Sequence, residues 1–299
     1  MCGIVGIYLK NNALEPDLGK HLKTMLVGMT ERGPDSAGVA IYNDNARKGE
    51  TKYCLYHPDL NYDWSVLQAE LKSEFAGNVT QRIVFNHCVL LADPTYEQIS
   101  QLIDTKHPEV TIVSVGSAIE IYKDMGLPED VATRFGFEGM SGSHALGHTR
   151  MATESAVSTA HSHPFSTGRD MCLVHNGSLS NHNRLRRWLT RKGIKFQTDN
   201  DTEVAAGYFT YRMREGDSLK EAFEAGLKDL DGFYTFAAGT RDGFAVVRDG
   251  ISCKPAVLAE TDDWVAIASE FRSLSHLPGV ENANIWEPKP LTVYSWGSA

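Results

Sequence analysis

Apolar residues recur along this chain with two different spacings, and each change of spacing marks a predicted element. Residues 4–8 form a mostly apolar, β-branched run, which predicts a strand running into a core. Apolar side chains at helical spacing over residues 18–30 predict a helix that ends at the turn of residues 32–35. Residues 37–42 again predict a strand. This opening of strand, helix and strand favours a layered αβ architecture.

Strand and helix patterns alternate over residues 52–116. Predicted strands lie near residues 53–57, 82–91 and 110–115, and predicted helices near residues 64–75 and 96–104. Such a unit can bury a small core of its own. We therefore interpret Lys52 to Gly116 as an αβ subdomain inserted into one larger domain over residues 1–299. Two short helices are predicted next, at residues 119–125 and 128–135.

The remainder of the chain returns to strands and adds three helices. Strands are predicted at residues 145–151, 171–175, 234–239, 244–248, 256–260, 264–269 and 291–294. Helices are predicted at residues 181–191, 202–214 and 219–227. Many strands and several helices without strict alternation indicate the α+β class, with sheets packed between helical layers.

Composition narrows the possible partners. The chain has 42% hydrophobic residues and a formal net charge of -9, which is typical of a globular protein and argues against a nucleic-acid surface. No apolar run approaches the roughly 20 residues of a membrane span, and the N-terminus lacks a secretory pattern. We therefore expect a cytoplasmic protein with small-molecule or protein partners. Five scattered cysteines without a C-x-x-C pair suggest neither a disulfide framework nor a zinc site.

Cys2 is the first candidate for chemistry. Removal of Met1 would leave Cys2 as the first residue, with a thiol and an α-amine on the same amino acid. An α-amine ordinarily has a pKa of about 8 and a cysteine thiol of about 8.5, so one can serve as base for the other. The predicted strand directly after Cys2 would hold this nucleophile on a rigid element.

Two further strand ends carry polar groups suited to acyl chemistry. Arg150 ends a predicted strand, and its planar guanidinium suits two-point capture of a carboxylate, although such an arginine often serves a structural ion pair. Asn176 and Gly177 end another strand. Asn-Gly is a strong hairpin signal, but helix-capping residues follow here instead of a strand. A side-chain amide beside a glycine N–H can form a pair of oxyanion donors.

An acidic stretch precedes the helix predicted at residues 202–214. Asp, Asn and Thr at residues 198–202 suit a helix N-cap, and one acidic side chain can be left over to bind an amine. His161 and His163 lie close together but lack a further ligand at suitable spacing, so no metal site is predicted. The combined pieces fit an α-amino acid with a scissile acyl group on its side chain, as in glutamine.

With these motifs the sequence resembles the class II glutamine amidotransferases of the N-terminal nucleophile hydrolase superfamily. The matching stretches, in family order, are Cys2-Gly3-Ile4-Val5-Gly6, Arg32-Gly33-Pro34-Asp35-Ser36-Ala37-Gly38, Gly147-His148-Thr149-Arg150 with Ala152-Thr153, His175-Asn176-Gly177 and Asp201-Thr202-Glu203. Weaker matches are Val247-Arg248-Asp249 and Ala268-Ser269-Glu270. The resemblance implies a four-layer αββα fold of two stacked antiparallel sheets between helices.

The resemblance also implies roles for individual residues. Cys2 would be the nucleophile with its α-amine as base, and Asn176 and Gly177 would form the oxyanion hole. Arg150 would bind the glutamine carboxylate and Asp201 its amine. Thr153 and Arg32 are further substrate-binding candidates, with Arg32 supporting the site more loosely. The chain departs from the family at Glu154-Ser155 and in the inserted unit.

The expected setting is a complex. The motifs and the insertion leave no Gly-rich phosphate loop or second domain for an ammonia acceptor, so we expect the acceptor site on other chains. With its inserted segment the chain most resembles amidotransferase subunits of glutamate-synthase-like complexes, including N-methylglutamate synthase. The resemblance implies flavoprotein partner subunits in a hetero-oligomer, with FMN on the partner and no cofactor on this chain. A stand-alone amidase and a non-hydrolysing structural or amine-binding subunit remain alternatives.

Overall fold

Three antiparallel sheets and seven α-helices make up the described residues of the computed structural model, which are 2–47, 49–151 and 157–298. The strands are β1 (Gly3–Leu9), β2 (Ser36–Tyr42), β3 (Thr51–Tyr56), β4 (Val79–Val84), β5 (His87–Ala92), β6 (Thr111–Gly116), β7 (Ile119–Met125), β8 (His144–Arg150), β9 (Phe165–Gly168), β10 (Met171–Leu179), β11 (Gly232–Thr240), β12 (Gly243–Arg248), β13 (Val257–Glu260), β14 (Trp264–Ala268), β15 (Asn284–Trp286) and β16 (Val293–Gly297). The helices are α1 (Leu18–Val27), α2 (Trp64–Glu74), α3 (Tyr96–Lys106), α4 (Pro128–Phe135), α5 (His182–Arg191), α6 (Asp201–Arg214) and α7 (Leu219–Asp229).

Strand β1 is apolar throughout because both of its faces are buried. Val5 and Ile7 belong to the core that α1 and α4 form against one face of the first sheet. Ile4 points the other way, into a core shared with Val174 and Phe244 of the second sheet. The first sheet has the order β15-β13-β14-β1-β8-β2-β7, and the second has the order β16-β12-β11-β10-β9.

Helices α5, α6 and α7 cover the outer face of the second sheet. Phe209 and Phe223 of these helices pack against Phe236 of β11 in a third apolar core. Helix, sheet, sheet and helix therefore form four layers, and the predicted α+β class with αββα layering is confirmed. No helix of the described residues is long and apolar enough to cross a bilayer.

The third sheet, in the order β4-β5-β3-β6, is formed within residues 51–116. It shares a separate apolar core with α2 and α3, centred on Tyr53, Trp64 and Leu71. The boundaries of this unit lie close to the predicted 52–116. That it is an insertion into a smaller ancestral domain stays a prediction.

Two predicted elements are wrong. Residues 119–125 form strand β7, which pairs with β2 over seven positions, instead of a helix. The polar side chains of Glu120 and Lys123 are buried here against long-range partners, so they do not mark a solvent-facing helix surface. Residues 82–91 hold two strands, β4 and β5, because the chain turns at Phe85-Asn86 without the usual glycine; Phe85 itself takes a φ of 57°.

A buried ionic cluster fastens the third sheet to the first. Glu120 of β7 accepts hydrogen bonds from Lys52 Nζ at 3.2 Å, Arg82 Nη2 at 2.7 Å and Tyr122 OH at 2.5 Å. Burial by itself would raise the pKa of Glu120, but Lys52 and Arg82 lower it to about 2. Burial lowers the pKa of Lys52, which is fully buried, so this lysine depends on its carboxylate partner.

We predict that Glu120→Gln lowers the free energy of unfolding by roughly 3–5 kcal/mol, because it leaves the buried Lys52 charge without its counter-charge. Urea denaturation at pH 7 measures the loss. The matched control is Glu138→Gln, because Glu138 also pairs with a lysine but its side chain is 66% exposed. This change should cost under about 1 kcal/mol. Equal effects of the two variants would contradict a stabilising role for the cluster. Because the folded pKa of Glu120 lies below its ordinary value, its contribution should be lost as the pH falls toward 2.

Candidate functional site

Cys2 lies directly before β1, where the first sheet meets the second. Gly3 pairs with Thr149 of β8, and a Cβ on Gly3 would lie only 2.7 Å from Thr149 Oγ1. The backbone N–H of Ile4 donates to Ser269 Oγ, and its C=O accepts from the Ser269 N–H, both at 2.9 Å. The strand that carries Cys2 is thus held closely from both sides, while the thiol stays partly exposed.

Arg32 binds the main chain of Cys2. Its Nε donates to the Cys2 carbonyl at 2.9 Å, and its Nη1 pairs with Glu270 Oε1 at 2.9 Å. The turn after Arg32 needs glycine, because a Cβ on Gly33 would lie 2.4 Å from the carbonyl carbon of Thr149. The structure therefore places Arg32 against the backbone of Cys2. Glu270, which orients Arg32, was not among the predicted site residues.

Asn176 binds the same carbonyl from the second sheet. Its Nδ2 donates to the Cys2 carbonyl at 3.1 Å. Strand β10 runs on through Asn176 and Gly177 to Leu179, so the Asn-Gly pair forms neither a hairpin nor the strand end that the sequence suggested. Gly177 has a φ of 146°, and a Cβ there would lie 2.0 Å from Phe233 O. Only glycine fits this position beside Cys2.

Asp201 is the acidic residue that capping leaves over. Asn200 is the N-cap of α6, accepting from Thr202 N–H at 2.8 Å, while Asp201 Oδ2 accepts from Leu179 N–H at 2.9 Å. Burial would raise the pKa of Asp201, but the nearby His175 imidazole and the hydrogen bond from the Leu179 N–H lower it to about 2. The carboxylate is therefore ionised at neutral pH. Glu203 fixes the preceding loop by accepting from two backbone N–H groups, those of residues 197 and 198.

Arg150 is the last residue of β8, and it lies buried beside the start of β1. It pairs with Ser36, and its carbonyl accepts from Asp35 N–H at 3.1 Å.

Thr153 falls at residues 152–156, outside the described part of the chain, as does the departure at residues 154 and 155. Met1 also lies outside it.

Three buried histidines lie in or next to these motifs, and the sequence analysis gave none of them a role at the site. His148 Nε2 lies 2.9 Å from the His175 carbonyl and 2.8 Å from His163 Nδ1. Burial lowers the pKa of His148 to about 3 and that of His163 well below its usual range. His148 and His175 each belong to a quoted motif, which is the signal that could have found them. No group of three potential ligands in the described ranges could hold a metal ion.

Comparison with known proteins identifies the family of this chain. A family model described as a glutamine amidotransferase domain matches residues 148–276. A glutamine amidotransferase-like protein, GlxB, of Rhizobium meliloti (strain 1021) is 52% identical over 297 residues, which cover 99% of this chain and 98% of that protein. The chain belongs to the glutamine amidotransferase family. Glutamine amidotransferases of this type typically carry an N-terminal cysteine nucleophile, and Cys2 stands at that position.

Two other similarities extend the comparison. The glutamine-fructose-6-phosphate aminotransferase of Xylella fastidiosa (strain 9a5c) is 36% identical over 168 residues, or 55% of this chain and 27% of that enzyme. The solved structure of a glutamine phosphoribosylpyrophosphate amidotransferase from B. subtilis aligns with a TM-score of 0.60 at 20% identity, covering 100% of this chain and 49% of that one. The latter likeness supports the amidotransferase fold alone.

We predict that Gly177→Ala reduces glutamine hydrolysis about a hundredfold or more, because the added Cβ pushes β10 away from β11 and displaces a proposed oxyanion donor. The matched control is Gly216→Ala, which also has a positive φ, of 113°, but has no atom within 4 Å of its Cβ position. Both variants carry backbone strain, so their melting temperatures are compared alongside turnover. Equal turnover in the two variants would contradict the need for a bare backbone at position 177.

Proposed function

We propose that this amidotransferase hydrolyses glutamine to glutamate and ammonia, with Cys2 as nucleophile once Met1 is removed. The observation that carries the proposal is the convergence of Arg32 and Asn176 on the Cys2 carbonyl, at 2.9 and 3.1 Å. These two side chains come from a turn beside the first sheet and from a strand of the second. Their hydrogen bonds fix the residue that carries the thiol, as a preorganised nucleophile requires.

The α-amine of Cys2 takes the thiol proton, and Sγ attacks the side-chain amide carbon of glutamine. The developing oxyanion accepts hydrogen bonds from Asn176 Nδ2 and the Gly177 N–H. An amide nitrogen has two hydrogens, so Asn176 can hold the Cys2 carbonyl with one and the oxyanion with the other. Ammonia leaves with the proton from the amine. Water then hydrolyses the thioester to release glutamate and the free thiol.

The ends of the substrate are bound by opposite charges. Arg150, buried at the end of β8, binds the α-carboxylate through its planar fork. Asp201, with a pKa of about 2, is negative at neutral pH and binds the α-ammonium group. Thr153 contributes a further contact in this proposal. Together these groups select a free amino acid over a peptide-bound glutamine.

We predict that Cys2→Ala abolishes glutamine hydrolysis, roughly a thousandfold or more, while leaving the melting temperature nearly unchanged. Release of glutamate is measured together with the intact mass, which reports removal of Met1. The control is Cys253→Ala, since Cys253 is the exposed free cysteine of the described residues and lies outside the proposed site. Retained turnover in Cys2→Ala would exclude this mechanism. A parent protein that keeps Met1 and is inactive would favour the non-hydrolysing subunit.

The ammonia acceptor, in our proposal, lies on a partner subunit of the glutamate-synthase-like type, for example that of N-methylglutamate synthase. The lengths of two relatives support this proposal. The match to this chain covers 98% of the Rhizobium meliloti relative but only 27% of the Xylella fastidiosa transferase, which has a long further part that the match does not cover. A synthase reaction of this type needs a reductant, so a flavin such as FMN on the partner is part of the proposal.

Two exposed apolar side chains belong to segments next to the candidate site. Phe271 follows Glu270 and is 44% exposed, and Phe233 lies against Gly177 and is 37% exposed. The third sheet offers a second exposed position, Ile83 on its edge strand β4. A subunit that receives ammonia from Cys2 is best placed over the first of these two surfaces.

We predict that the chain co-purifies at native expression levels with a larger flavin-containing subunit. Size measurement and an absorbance spectrum of the purified complex test this. Phe271→Asp should release the partner, whereas Ile83→Asp, an equal change on the third sheet, should not. The reverse pattern would move the interface to the third sheet. A colourless, monomeric and fully active enzyme would contradict the subunit proposal and favour a stand-alone amidase.

A further inference from the structure

His175 lies between the two halves of the candidate site. It precedes Asn176 and Gly177 on β10, and its side chain reaches the start of α6. We propose that His175 is a positioning residue that holds the amine-binding carboxylate of Asp201 at a set distance from the oxyanion donors. In this way it makes the site select glutamine over amides that lack an α-amine. The inference rests on the proposed glutamine hydrolysis and on the role proposed there for Asp201.

The imidazole is tied to the acidic motif at one edge. Its Nδ1 lies 2.9 Å from Thr202 Oγ1 and 3.7 Å from Asp201 Oδ1. The Thr202 hydroxyl is itself 3.4 Å from Asp201 Oδ1. The other carboxylate oxygen accepts from Leu179 N–H at 2.9 Å. Both oxygens of Asp201 are therefore held from β10, one by His175 through the Thr202 hydroxyl and the other by the strand backbone.

The opposite edge of the ring lies against the proposed oxyanion glycine. His175 Nε2 is buried, has no hydrogen-bond partner among the described residues, and lies 2.9 Å from the position that a Cβ on Gly177 would take. An imidazole is rigid, so the distance between its two edges cannot change. The ring thus sets the spacing between the carboxylate that binds the amine and the backbone that binds the oxyanion.

The ring has little freedom to move. His175 is 3% exposed and its ring packs on Phe236 with centroids 4.8 Å apart. The backbone carbonyl of His175 can only accept a hydrogen bond. His148 Nε2, which lies 2.9 Å from it, is therefore the protonated nitrogen of the His148 ring. Burial lowers the pKa of His148 to about 3, so His148 stays neutral and this arrangement is constant over the working pH range.

Glutamine has its α-amine and its amide carbon at a separation that the three carbons between them restrict. A site that binds both groups needs its two binding elements at the matching separation. Loss of His175 should therefore reduce the affinity that the α-amine adds to glutamine binding more than it reduces the binding of the amide group. A purely structural role would instead weaken the binding of all amides alike.

The test compares binding of glutamine and of glutaramate, which has hydrogen in place of the α-amine. Calorimetry on the Cys2→Ala protein gives both dissociation constants without turnover. His175→Asn keeps a donor near the Nδ1 position, and His175→Gln places one near Nε2 instead. We expect His175→Asn to keep most of the preference for glutamine, and His175→Gln and His175→Ala to lose about tenfold of it or more, chiefly through weaker glutamine binding.

The matched control is His144→Asn. His144 is also buried, at 1% exposure, and its Nε2 lies 2.8 Å from Thr240 O, but it is at the opposite end of β8 from Arg150. The His144→Asn variant should prefer glutamine to the same extent as the parent.

A pH series adds a second readout. His175, 3.7 Å from Asp201 Oδ1, helps to lower the pKa of that carboxyl, as do the Leu179 N–H and the nearby His182, so glutamine binding by His175→Gln should weaken as the pH falls from 8 to 5, while the parent changes less.

The outcomes separate the two levels of inference. A Cys2→Ala parent that does not bind glutamine overturns the proposed function and this inference with it. A parent that prefers glutamine, with the same preference and pH profile in His175→Gln and His175→Asn, overturns the role of His175 alone. If His175→Ala does not fold, the comparison of the asparagine and glutamine variants still decides the question.

Discussion

The carbonyl oxygen of Cys2 is the point on which the candidate site depends. It accepts one hydrogen bond from Arg32 and one from Asn176, at 2.9 and 3.1 Å. The first residues of a chain are usually poorly ordered unless they are tied down. Here a charged donor from beside the first sheet and an amide from the second hold the residue at the start of β1. Stacking of the two sheets and placement of the thiol are thus one structural requirement.

The amphipathic and doubly buried elements could be predicted from sequence, because burial on one side or on both leaves a periodic pattern. Strand β1 and helices α1, α5 and α6 are of this kind. Strand β7 could not, because Glu120 and Lys123 are polar residues at buried positions. Their partners, Lys52 and the backbone of residues 160–164, are far away in sequence. Local patterns carry no information about such partners.

The same distinction applies to the site. Asn176 and Asp201 could be found because each sits where a strand or a capping motif makes a polar residue conspicuous. Glu270 and His175 lie within quoted motifs, but they act through other residues, so the sequence pattern does not reveal their partners. Glu270 pairs with Arg32 across 238 positions of sequence, and His175 meets Thr202 across 27. Only the fold brings these side chains next to Arg32 and Asp201, the groups that they position in our proposal.

These long separations have a consequence for how the site forms. The family model covers residues 148–276, yet Cys2 and Arg32 lie well before that range. Strand β1 pairs with β14 on one side and β8 on the other, so its edges are satisfied only when strands from late in the chain are in place. Contacts of such high sequence separation carry a loop-closure entropy that must be offset before they stabilise the fold. Cys2 therefore reaches its place between Arg32 and Asn176 only when the first sheet, with β8 and β14 in it, has formed.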